Sequence, residues 1–312
     1  MNDERHGEAT ANGQRMLVTG AAGFIGSALC RALLAEGAEV HATSRFAQKA
    51  DDRLRWWQVD LSQVESAIDV IRKSRPSVIF HLASHVSGGL GLDAVTQTLQ
   101  DNLISAVNVL IAAYECGAAR VVLAGSMEEC DPSETHAVPV SPYAAAKTAT
   151  STYARMFYGL YGLPVVNLRI YMVYGPGQHD TTKLVPYVTT SLLRGERPRL
   201  SSGRREVDWI FIDDVVAAFL AAARSPVADG RPIDIGSGEL ISVRSLVERL
   251  TALVGGPGEP VFGALDDRPV EHRRCADVDR TLRSMGWKPR TPLDAGLERT
   301  VHWYRSQYGA EK

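Results

Sequence analysis

The chain has 312 residues, 45% of them hydrophobic, which is enough for one large α/β domain with a smaller appended lobe. Its 34 basic and 36 acidic residues give a formal net charge of −2, so the charge balance favours neither nucleic acid nor an anionic membrane surface as a partner. Four widely separated cysteines form no Cys-x-x-Cys pair, which predicts reduced thiols and neither a disulfide framework nor a metal site.

Residues 1–14 are polar, and we expect a disordered lead-in that is not a signal peptide. No stretch approaches the roughly 18 uninterrupted apolar residues of a membrane span. Together with the reduced cysteines, these features favour a cytoplasmic protein.

A short apolar strand, 16–19, leads into three glycines spaced three residues apart, and a helix-patterned run follows. Gly20 allows the sharp turn out of the strand, Gly23 lets backbone N–H groups approach phosphates, and Gly26 lets the helix pack closely on the sheet. The pattern predicts a site for the pyrophosphate of a dinucleotide at the start of the helix. The expected cofactor contacts are Gly20, Gly23, Phe24, Ile25 and Gly26.

The run Thr-Gly-Ala-Ala-Gly-Phe-Ile-Gly at 19–26 resembles the signature of the extended short-chain dehydrogenase/reductases, a superfamily of nucleotide-sugar epimerases, dehydratases and reductases. The resemblance extends over residues 16–305. It implies a Rossmann-like, doubly wound parallel α/β sheet with a smaller C-terminal lobe that closes over a sugar nucleotide. It also implies a homodimer, formed through the helices that carry Asn102 and Tyr143.

The second predicted strand, 39–45, ends where a dinucleotide fold meets the adenosine ribose. An acidic residue there would bind the ribose 2′-OH and repel a 2′-phosphate, so the observed Ser44 and Arg45 favour NADP over NAD. A solvated arginine at the start of a loop is the alternative. The third strand ends in Asp60 and Leu61, where members of the superfamily place an acid near the adenine, although Asp60 could equally cap the next helix.

The near-continuous apolar run 78–83 is typical of a parallel strand buried on both faces. Leu82, Ala83 and Ser84 lie at its carboxyl end, where open α/β sheets bind ligands, so we expect them to contact the cofactor. A similar Ser-His-Val sequence lines the nicotinamide pocket in 4,6-dehydratases of the superfamily, which makes His85 a candidate substrate contact. A loop histidine with only a local hydrogen bond is equally compatible with the sequence.

The next buried strand, 121–126, ends in Ser126, and Ser141–Pro142 then starts a helix with a serine N-cap and a proline at the first helical position. Tyr143 and Lys147 lie four residues apart and therefore on one face of that helix. A phenol of pKa near 10 needs a nearby cation to exchange a proton at neutral pH. The resemblance implies Tyr143 as acid–base, Lys147 as its cation and ribose contact, and Ser126 as the residue that positions the reacting carbonyl or alcohol.

Several departures from the superfamily concern the substrate. Met172 stands where its members often have a substrate-contacting Asn, and Val207 stands where they often have a pyrophosphate-binding Arg. Arg204 or Arg205 could substitute for that Arg, and Arg268 resembles the other diphosphate-binding Arg. A solvated surface Arg is the alternative for each of the three.

We expect residues 15–175 to form the NADP-binding Rossmann domain and residues 176–312 to form mainly the substrate lobe. Two segments of that second part, 207–224 and 232–254, are predicted to return to the Rossmann sheet.

The sequence Ser126–Met127–Glu128 bears on the reaction type, because a 4,6-dehydratase eliminates water and needs an acid–base pair beyond the tyrosine. Glu128 could abstract the C5 proton, but Met127 cannot donate a proton to the departing hydroxyl. We therefore predict an NADP-dependent oxidoreductase of the 4-ketoreductase or 4-epimerase type that acts on a nucleotide sugar. The alternatives are a 4,6-dehydratase with Glu128 as base and a non-catalytic dinucleotide-binding regulator.

Overall fold

The computed structural model describes residue 11 and residues 13–86, 89–130, 137–267 and 273–310. Most of the predicted lead-in and Arg268 lie outside this part of the chain. Of residues 1–14, only Ala11, Gly13 and Gln14 are described; Ala11 is buried, and Gly13 N donates to Gly37 O.

Ten strands in the described part of the chain form two sheets. Their bounds are β1 (Arg15–Thr19), β2 (Glu39–Ser44), β3 (Leu54–Gln58), β4 (Val78–His81), β5 (Arg120–Ser126), β6 (Val165–Ile170), β7 (Met172–Tyr174), β8 (Glu206–Phe211), β9 (Asp229–Ile235) and β10 (Leu240–Ser242). The main sheet is parallel throughout, in the order β3-β2-β1-β4-β5-β6-β9. The strand order reverses between β1 and β4, which is where open α/β sheets bind their ligands.

Helices cover both faces of the main sheet and build most of the second lobe. Their bounds are α1 (Phe24–Ala35), α2 (Val64–Ser74), α3 (Leu92–Thr98), α4 (Ser105–Glu115), α5 (Pro142–Tyr161), α6 (Leu184–Leu193), α7 (Ile212–Arg224), α8 (Val243–Val254), α9 (Val278–Met285) and α10 (Leu293–Ala310). None of the helices in the described ranges has the length and apolar character needed to cross a membrane.

Local sequence signals explain how the elements around the site begin and end. The strands β1, β4 and β5 are apolar because both of their faces are buried, as Val18, Ile79 and Val122 illustrate. Helix α5 starts where the sequence predicted: the Ser141 hydroxyl accepts from Ala144 N at 3.0 Å, and proline follows at the first helical position.

The helix expected around Asn102 is divided into three parts between Leu92 and Glu115. A π-helical segment, Leu99–Ile104, separates α3 from α4 and contains Asn102. Wider turns of this kind occur frequently at functional sites because they redirect one side chain out of the helical pattern.

Of the two segments expected to return to the Rossmann sheet, only part of each does so. In 207–224, strand β8 pairs parallel with β7 and antiparallel with β10 in a separate three-stranded sheet, so the expectation for this strand is wrong. Its helix α7 does pack against the main sheet and α1. In 232–254, β9 forms the edge of the main sheet beside β6, whereas α8 packs against α6 and α10 in the second lobe.

Candidate active site

The turn between β1 and α1 forms a concave backbone surface. Gly20 has φ of +65°, and a Cβ there would come within 3.0 Å of the Ala83 backbone at the end of β4. A Cβ on Gly26 would collide with Gly20 in the same way, so both glycines are required for close packing. The first bond of α1 runs from Ser27 N to Gly23 O, and the preceding N–H groups, including that of Phe24, are free of helical partners.

This end of α1 suits a phosphate. Its first turn contains no acidic side chain, so the positive end of the helix dipole is not neutralised. The N–H groups of Phe24 and Ile25 lie in that turn, next to the space that the missing side chain of Gly23 leaves open. The glycine positions predicted from the sequence therefore form a cradle that fits a dinucleotide pyrophosphate.

The carboxyl end of β4 lies beside this cradle and is held rigidly. Leu82 N and Ala83 N both donate to Thr19 Oγ1 at 3.1 Å. The Asn102 amide fixes the next residues: its Oδ1 accepts from Ser84 Oγ at 3.1 Å and from His85 N at 2.6 Å, and its Nδ2 donates to His85 O at 3.0 Å. The Asn102 side chain therefore orients the backbone that follows β4.

At the end of β2, the two residues predicted to favour a 2′-phosphate already have hydrogen-bond partners within the chain. Arg45 Nη1 donates to Asp101 Oδ1 at 2.7 Å, and the Asp101 side chain is only 10% exposed. Ser44 Oγ accepts from Phe46 N in a local turn. On the next strand, β3 ends at Gln58, two residues short of Asp60, whose carboxylate accepts from Ser62 N in a local turn. The N-cap of α2 is Gln63, and no side chain caps it, so Asp60 does not cap this helix.

Ser126, Tyr143 and Lys147 come together where β5 ends and α5 begins. All three are buried, and the Tyr143 hydroxyl is hydrogen-bonded to the Ser126 side chain. Burial raises the pKa of Tyr143, and this hydrogen bond opposes the shift. Lys147 Nζ lies 5.8 Å from the centre of the Tyr143 ring and donates to Ala124 O at 2.7 Å, which leaves further N–H donors for a ligand.

The electrostatic surroundings of Lys147 include a neutral histidine and a carboxylate. Burial lowers the pKa of Lys147 to about 8, and Glu129 opposes that shift. Burial and the nearby ammonium also lower the pKa of His81 to about 3. Thr19 Oγ1 already accepts two backbone N–H groups, so its hydroxyl donates to His81 Nδ1 at 2.9 Å and the ring proton lies on Nε2.

Glu128 and Met127 face different surroundings. Glu128 Oε2 accepts from Ser141 Oγ at 3.4 Å, and Glu128 N donates to Ser126 Oγ at 3.2 Å, so this half-buried carboxylate borders the Ser126–Tyr143 pair. Met127 is 5% exposed and packs in the hydrophobic core. It supplies no proton donor beside Glu128.

Neither Glu129 nor Arg274 was predicted from the sequence as a site residue. Glu129 is buried, and its Oε1 accepts from Ser126 N at 2.7 Å. The Arg274 guanidinium donates to the carbonyl oxygens of Met127 and Glu129, which ties the C-terminal segment to the loop after β5. An acidic side chain directly after a buried strand was the available signal for Glu129, but the sequence did not show that the chain folds over it.

The residues predicted to contact the substrate do not gather at one place in the structure. Met172 begins β7 and is half-buried, where it pairs with Trp209 in the second sheet. Arg204 is exposed and Arg205 half-buried on the segment that enters β8, in the second lobe. No hydrogen bond or ion pair described for this part of the chain links Arg204 to the Ser126–Tyr143–Lys147 cluster.

Comparisons with known proteins agree with this geometry. Residues 16–236 match the model of the "NAD dependent epimerase/dehydratase family". The UDP-glucose 4-epimerase of Mycolicibacterium smegmatis is 32% identical to this chain, and the alignment covers 94% of this chain and 99% of that relative.

Two solved structures are similar over nearly their whole length. UDP-glucose 4-epimerase from Thermotoga maritima with UDP-glucose has a TM-score of 0.85 at 27% identity, covering 94% of this chain and 99% of that one. UDP-glucose 4-epimerase from Thermus thermophilus in complex with NAD has a TM-score of 0.81 at 28% identity, covering 93% and 99%. With the glycine cradle at the switch point of a parallel sheet, these matches show that the chain belongs to the NAD-dependent epimerase/dehydratase family of nucleotide-sugar enzymes, within the extended short-chain dehydrogenase/reductases.

Proposed function

We propose that this protein is a nucleotide-sugar 4-epimerase that uses a bound nicotinamide dinucleotide, with a 4-ketoreductase as the closely related second candidate. The observation that carries the proposal is the burial of Tyr143, Ser126 and Lys147 together at the carboxyl end of β5, in the same sheet edge as the Gly20 cradle. The similarity to UDP-glucose 4-epimerases over nearly the whole chain favours epimerisation.

The roles of the three side chains follow from their chemistry. Ser126 and Tyr143 present two hydroxyls that can hold the oxygen of a sugar alcohol or ketone, and Tyr143 takes its proton during oxidation and returns it during reduction. Lys147 would hold the nicotinamide ribose with its remaining N–H donors, and its charge stabilises the phenolate. A bound dinucleotide would supply the hydride acceptor and donor.

Dehydration remains the alternative because Glu128 lies beside Ser126 and Tyr143. A 4,6-elimination needs an acid for the departing hydroxyl as well as a base for the C5 proton. Met127 is packed in the core, and Glu129 points to the backbone of Ser126. The loop after β5 therefore offers one carboxyl group in the position of a base and no partner acid, which favours epimerisation.

The reaction type is tested by incubating the protein with a panel of UDP- and dTDP-hexoses and 4-keto-6-deoxy sugars, followed by product mass and proton NMR. We expect a change of configuration at C4 without a change of mass or net reduction of added cofactor. Stoichiometric oxidation of the reduced dinucleotide with a 4-keto sugar would establish the reductase. A product one water lighter than an unmodified hexose would instead establish the dehydratase with Glu128 as base.

We propose that NAD(H) and NADP(H) are bound with similar affinity, in contrast to the NADP preference that Ser44 and Arg45 alone favour. The positive charge of Arg45 is shared with the nearly buried Asp101 carboxylate, which would also face a 2′-phosphate. We expect the Kd values for NADH and NADPH, measured by calorimetry, to differ by less than about tenfold. Asp101→Asn removes the repulsive charge and should shift the ratio toward NADPH by roughly tenfold.

A control for this shift is Asp69→Asn, which breaks a more exposed ion pair of the same N–O distance, 2.7 Å, with Lys73 on α2. The control should leave the NADH to NADPH ratio unchanged. If the wild-type chain binds NADPH much more than tenfold tighter, Arg45 leaves Asp101 for the phosphate and the sequence-based preference is correct.

We also propose a homodimer formed by the face that α3, the π-helical segment, α4 and α5 share. Rings from two of these helices meet there, with Tyr114 and Tyr161 centroids 5.4 Å apart. The same segments carry exposed apolar side chains: Val95, Leu99, Tyr114, Tyr153, Tyr158, Leu160 and Tyr161. Such a concentration of exposed apolar residues is typical of an interface.

Sedimentation equilibrium is expected to give twice the mass of one chain. Tyr114→Glu should yield monomers because it places a charge in the apolar face. Phe46→Glu changes another exposed aromatic residue, at 73% exposure and outside this face, and should leave the mass unchanged. A monomeric wild-type chain would exclude the proposed dimer.

A further inference from the structure

Glu129 is a buried carboxylate directly behind the Ser126–Tyr143–Lys147 cluster. Its Oε1 accepts from Ser126 N at 2.7 Å, and its Oε2 is buried and makes no hydrogen bond within the described ranges. A carboxylate is rarely left with half of its acceptor sites unsatisfied in a protein interior, because its desolvation is costly. An ionisable group retained in such a place therefore calls for a specific reason.

The local chain leaves room for this side chain. A Cβ on Gly125 would lie within 3.0 Å of both Glu129 Oε1 and Asn167 Oδ1. The absent side chain at 125 and the carboxyl group at 129 therefore fit together on the surface of β6. The backbone oxygen of Glu129 also accepts from the Arg274 guanidinium, so the residue is fixed at both its side chain and its main chain.

The charges of Glu129 and three buried neighbours balance only when Glu129 is ionised, and the partly buried Arg274 guanidinium adds a further positive charge. Arg169 on β6 pairs with Asp234 on β9 at 2.6 Å, with side-chain exposures of 12% and 9%. Lys147 on α5 is the other buried cation and makes no ion pair with any carboxylate in the described ranges. With Glu129 ionised, the four groups carry two positive and two negative charges. Without its charge, they carry a net charge of +1 in a region with little solvent.

Only one of the two buried cations can relieve such an excess. Arginine keeps its proton in proteins, whereas a buried lysine readily loses one. The other buried neighbours offer no substitute for the missing negative charge: His81 on β4 is neutral, Tyr143 and Ser151 on α5 are hydroxyls, and Arg274 adds positive charge. The remaining carboxylate beside the cluster, that of Glu128, is only half-buried and accepts from Ser141 Oγ. Lys147 Nζ donates to Ala124 O and Glu129 Oε1 accepts from Ser126 N, so the two charged groups bind the backbone of the same strand, β5, two residues apart.

We propose that Glu129 is a positioning residue for the catalytic cluster: its carboxylate fixes the backbone of Ser126 and supplies the buried negative charge that keeps Lys147 protonated. The inference rests on the proposed function in one respect, since the consequence of a charged Lys147 is cofactor binding and acid–base chemistry at Tyr143. The direction of the pKa shifts agrees: burial raises the pKa of Glu129 to about 7, and Lys147 and Arg169 oppose that rise.

The test is an NMR titration of the ¹⁵N-labelled lysine side chains, with the Lys147 signal identified by its loss in Lys147→Met. We expect Glu129→Gln, which keeps the shape of the side chain, to lower the pKa of Lys147 by at least about one unit. Glu129→Asp retains the charge and should hold the pKa near its wild-type value, even if the bond to Ser126 lengthens. Glu128→Gln removes a charge one residue away and should leave the Lys147 titration unchanged.

A second measurement, NADH affinity at two pH values, distinguishes loss of the Glu129 charge from a structural defect. In Glu129→Gln, the loss of NADH affinity relative to wild type should be roughly fivefold larger at pH 8 than at pH 6, because Lys147 regains its proton at the lower pH. An equal loss at both pH values, or an unchanged Lys147 pKa in Glu129→Gln, would overturn the proposal. If Glu129→Gln fails to fold, Glu129→Asp provides the test instead. A fall in the Lys147 pKa of that variant below the wild-type value would overturn the proposal.

The titration requires neither cofactor nor substrate, so it distinguishes the two proposals. Failure of the proposed function would appear as wild-type protein that binds no NADH while the Lys147 shift persists. Failure of the Glu129 proposal would appear as wild-type protein that binds NADH while the Lys147 pKa does not respond to Glu129→Gln.

Discussion

Tyr143→Phe is expected to lower kcat by at least about a hundredfold and to leave dinucleotide affinity nearly unchanged. The substitution removes only the hydroxyl that is hydrogen-bonded to Ser126, while the ring stays in its buried position. Without that hydroxyl, the proton of the sugar alcohol has no acceptor of suitable geometry. The backbone cradle around Gly20 is unaffected, so a calorimetric titration with NADH should give a Kd close to that of the wild type.

The matched control is Tyr153→Phe, which changes the same group on the same helix at a side chain that is 41% exposed. Its kcat should equal that of the wild type. If Tyr143→Phe retains wild-type turnover, another group exchanges the proton and the proposed role of Tyr143 is wrong. An equally large loss of NADH affinity would show instead that the hydroxyl serves binding.

The sequence predicted the parts of the fold whose determinants are local. The glycine spacing from Gly20 to Gly26 specifies a turn that only residues without a Cβ can make, and the structure contains that turn. Ser141 and Pro142 specify the start of α5 in the same way, through a cap and a fixed backbone angle. The parallel sheet could also be predicted, because strands that are buried on both faces beneath helices have continuous apolar sequences.

The sequence did not predict which sheet a strand joins. Strand β8 has the apolar character of a Rossmann strand, yet it pairs with β7 and β10. Burial alone determines that character, and both sheets bury their strands, so the pattern cannot distinguish the two partners. The same limit applies to Arg45, whose partner Asp101 is distant in sequence and close only in the folded chain.

Glu129 illustrates a further limit at the candidate site. A glutamate after a strand reads as a solvated loop residue, because charged side chains are almost never fully buried unless they are paired. Only the position of Arg274 over the loop, and the packing of Ser126 against the carboxylate, makes Glu129 part of the interior. The adjacent Glu128, by contrast, lies at the edge of the cluster that the sequence predicted.

Asp208→Asn is expected to lower the free energy of unfolding by roughly 3–5 kcal/mol, measured by denaturation with urea. Asp208 lies on β8, is fully buried, and accepts from the N–H groups of Ser237, Gly238 and Ala276 at 2.6 to 3.0 Å. An asparagine of the same size replaces one acceptor oxygen with a donor. At least one buried N–H group then faces another N–H group, and the negative charge that strengthens the remaining bonds is lost.

The control for this prediction is Asp213→Asn, which removes an acidic charge five residues along the chain. Asp213 is 57% exposed and pairs with Arg299 at 2.6 Å, so its loss should cost less than about 1 kcal/mol. Because Asp208 joins β8 to the turn after β9 and to the segment that carries Arg274, its loss should also loosen the contact between that segment and the loop around Glu129. A cost of Asp208→Asn as small as that of the control would show that apolar packing, and not this carboxylate, holds the three segments together.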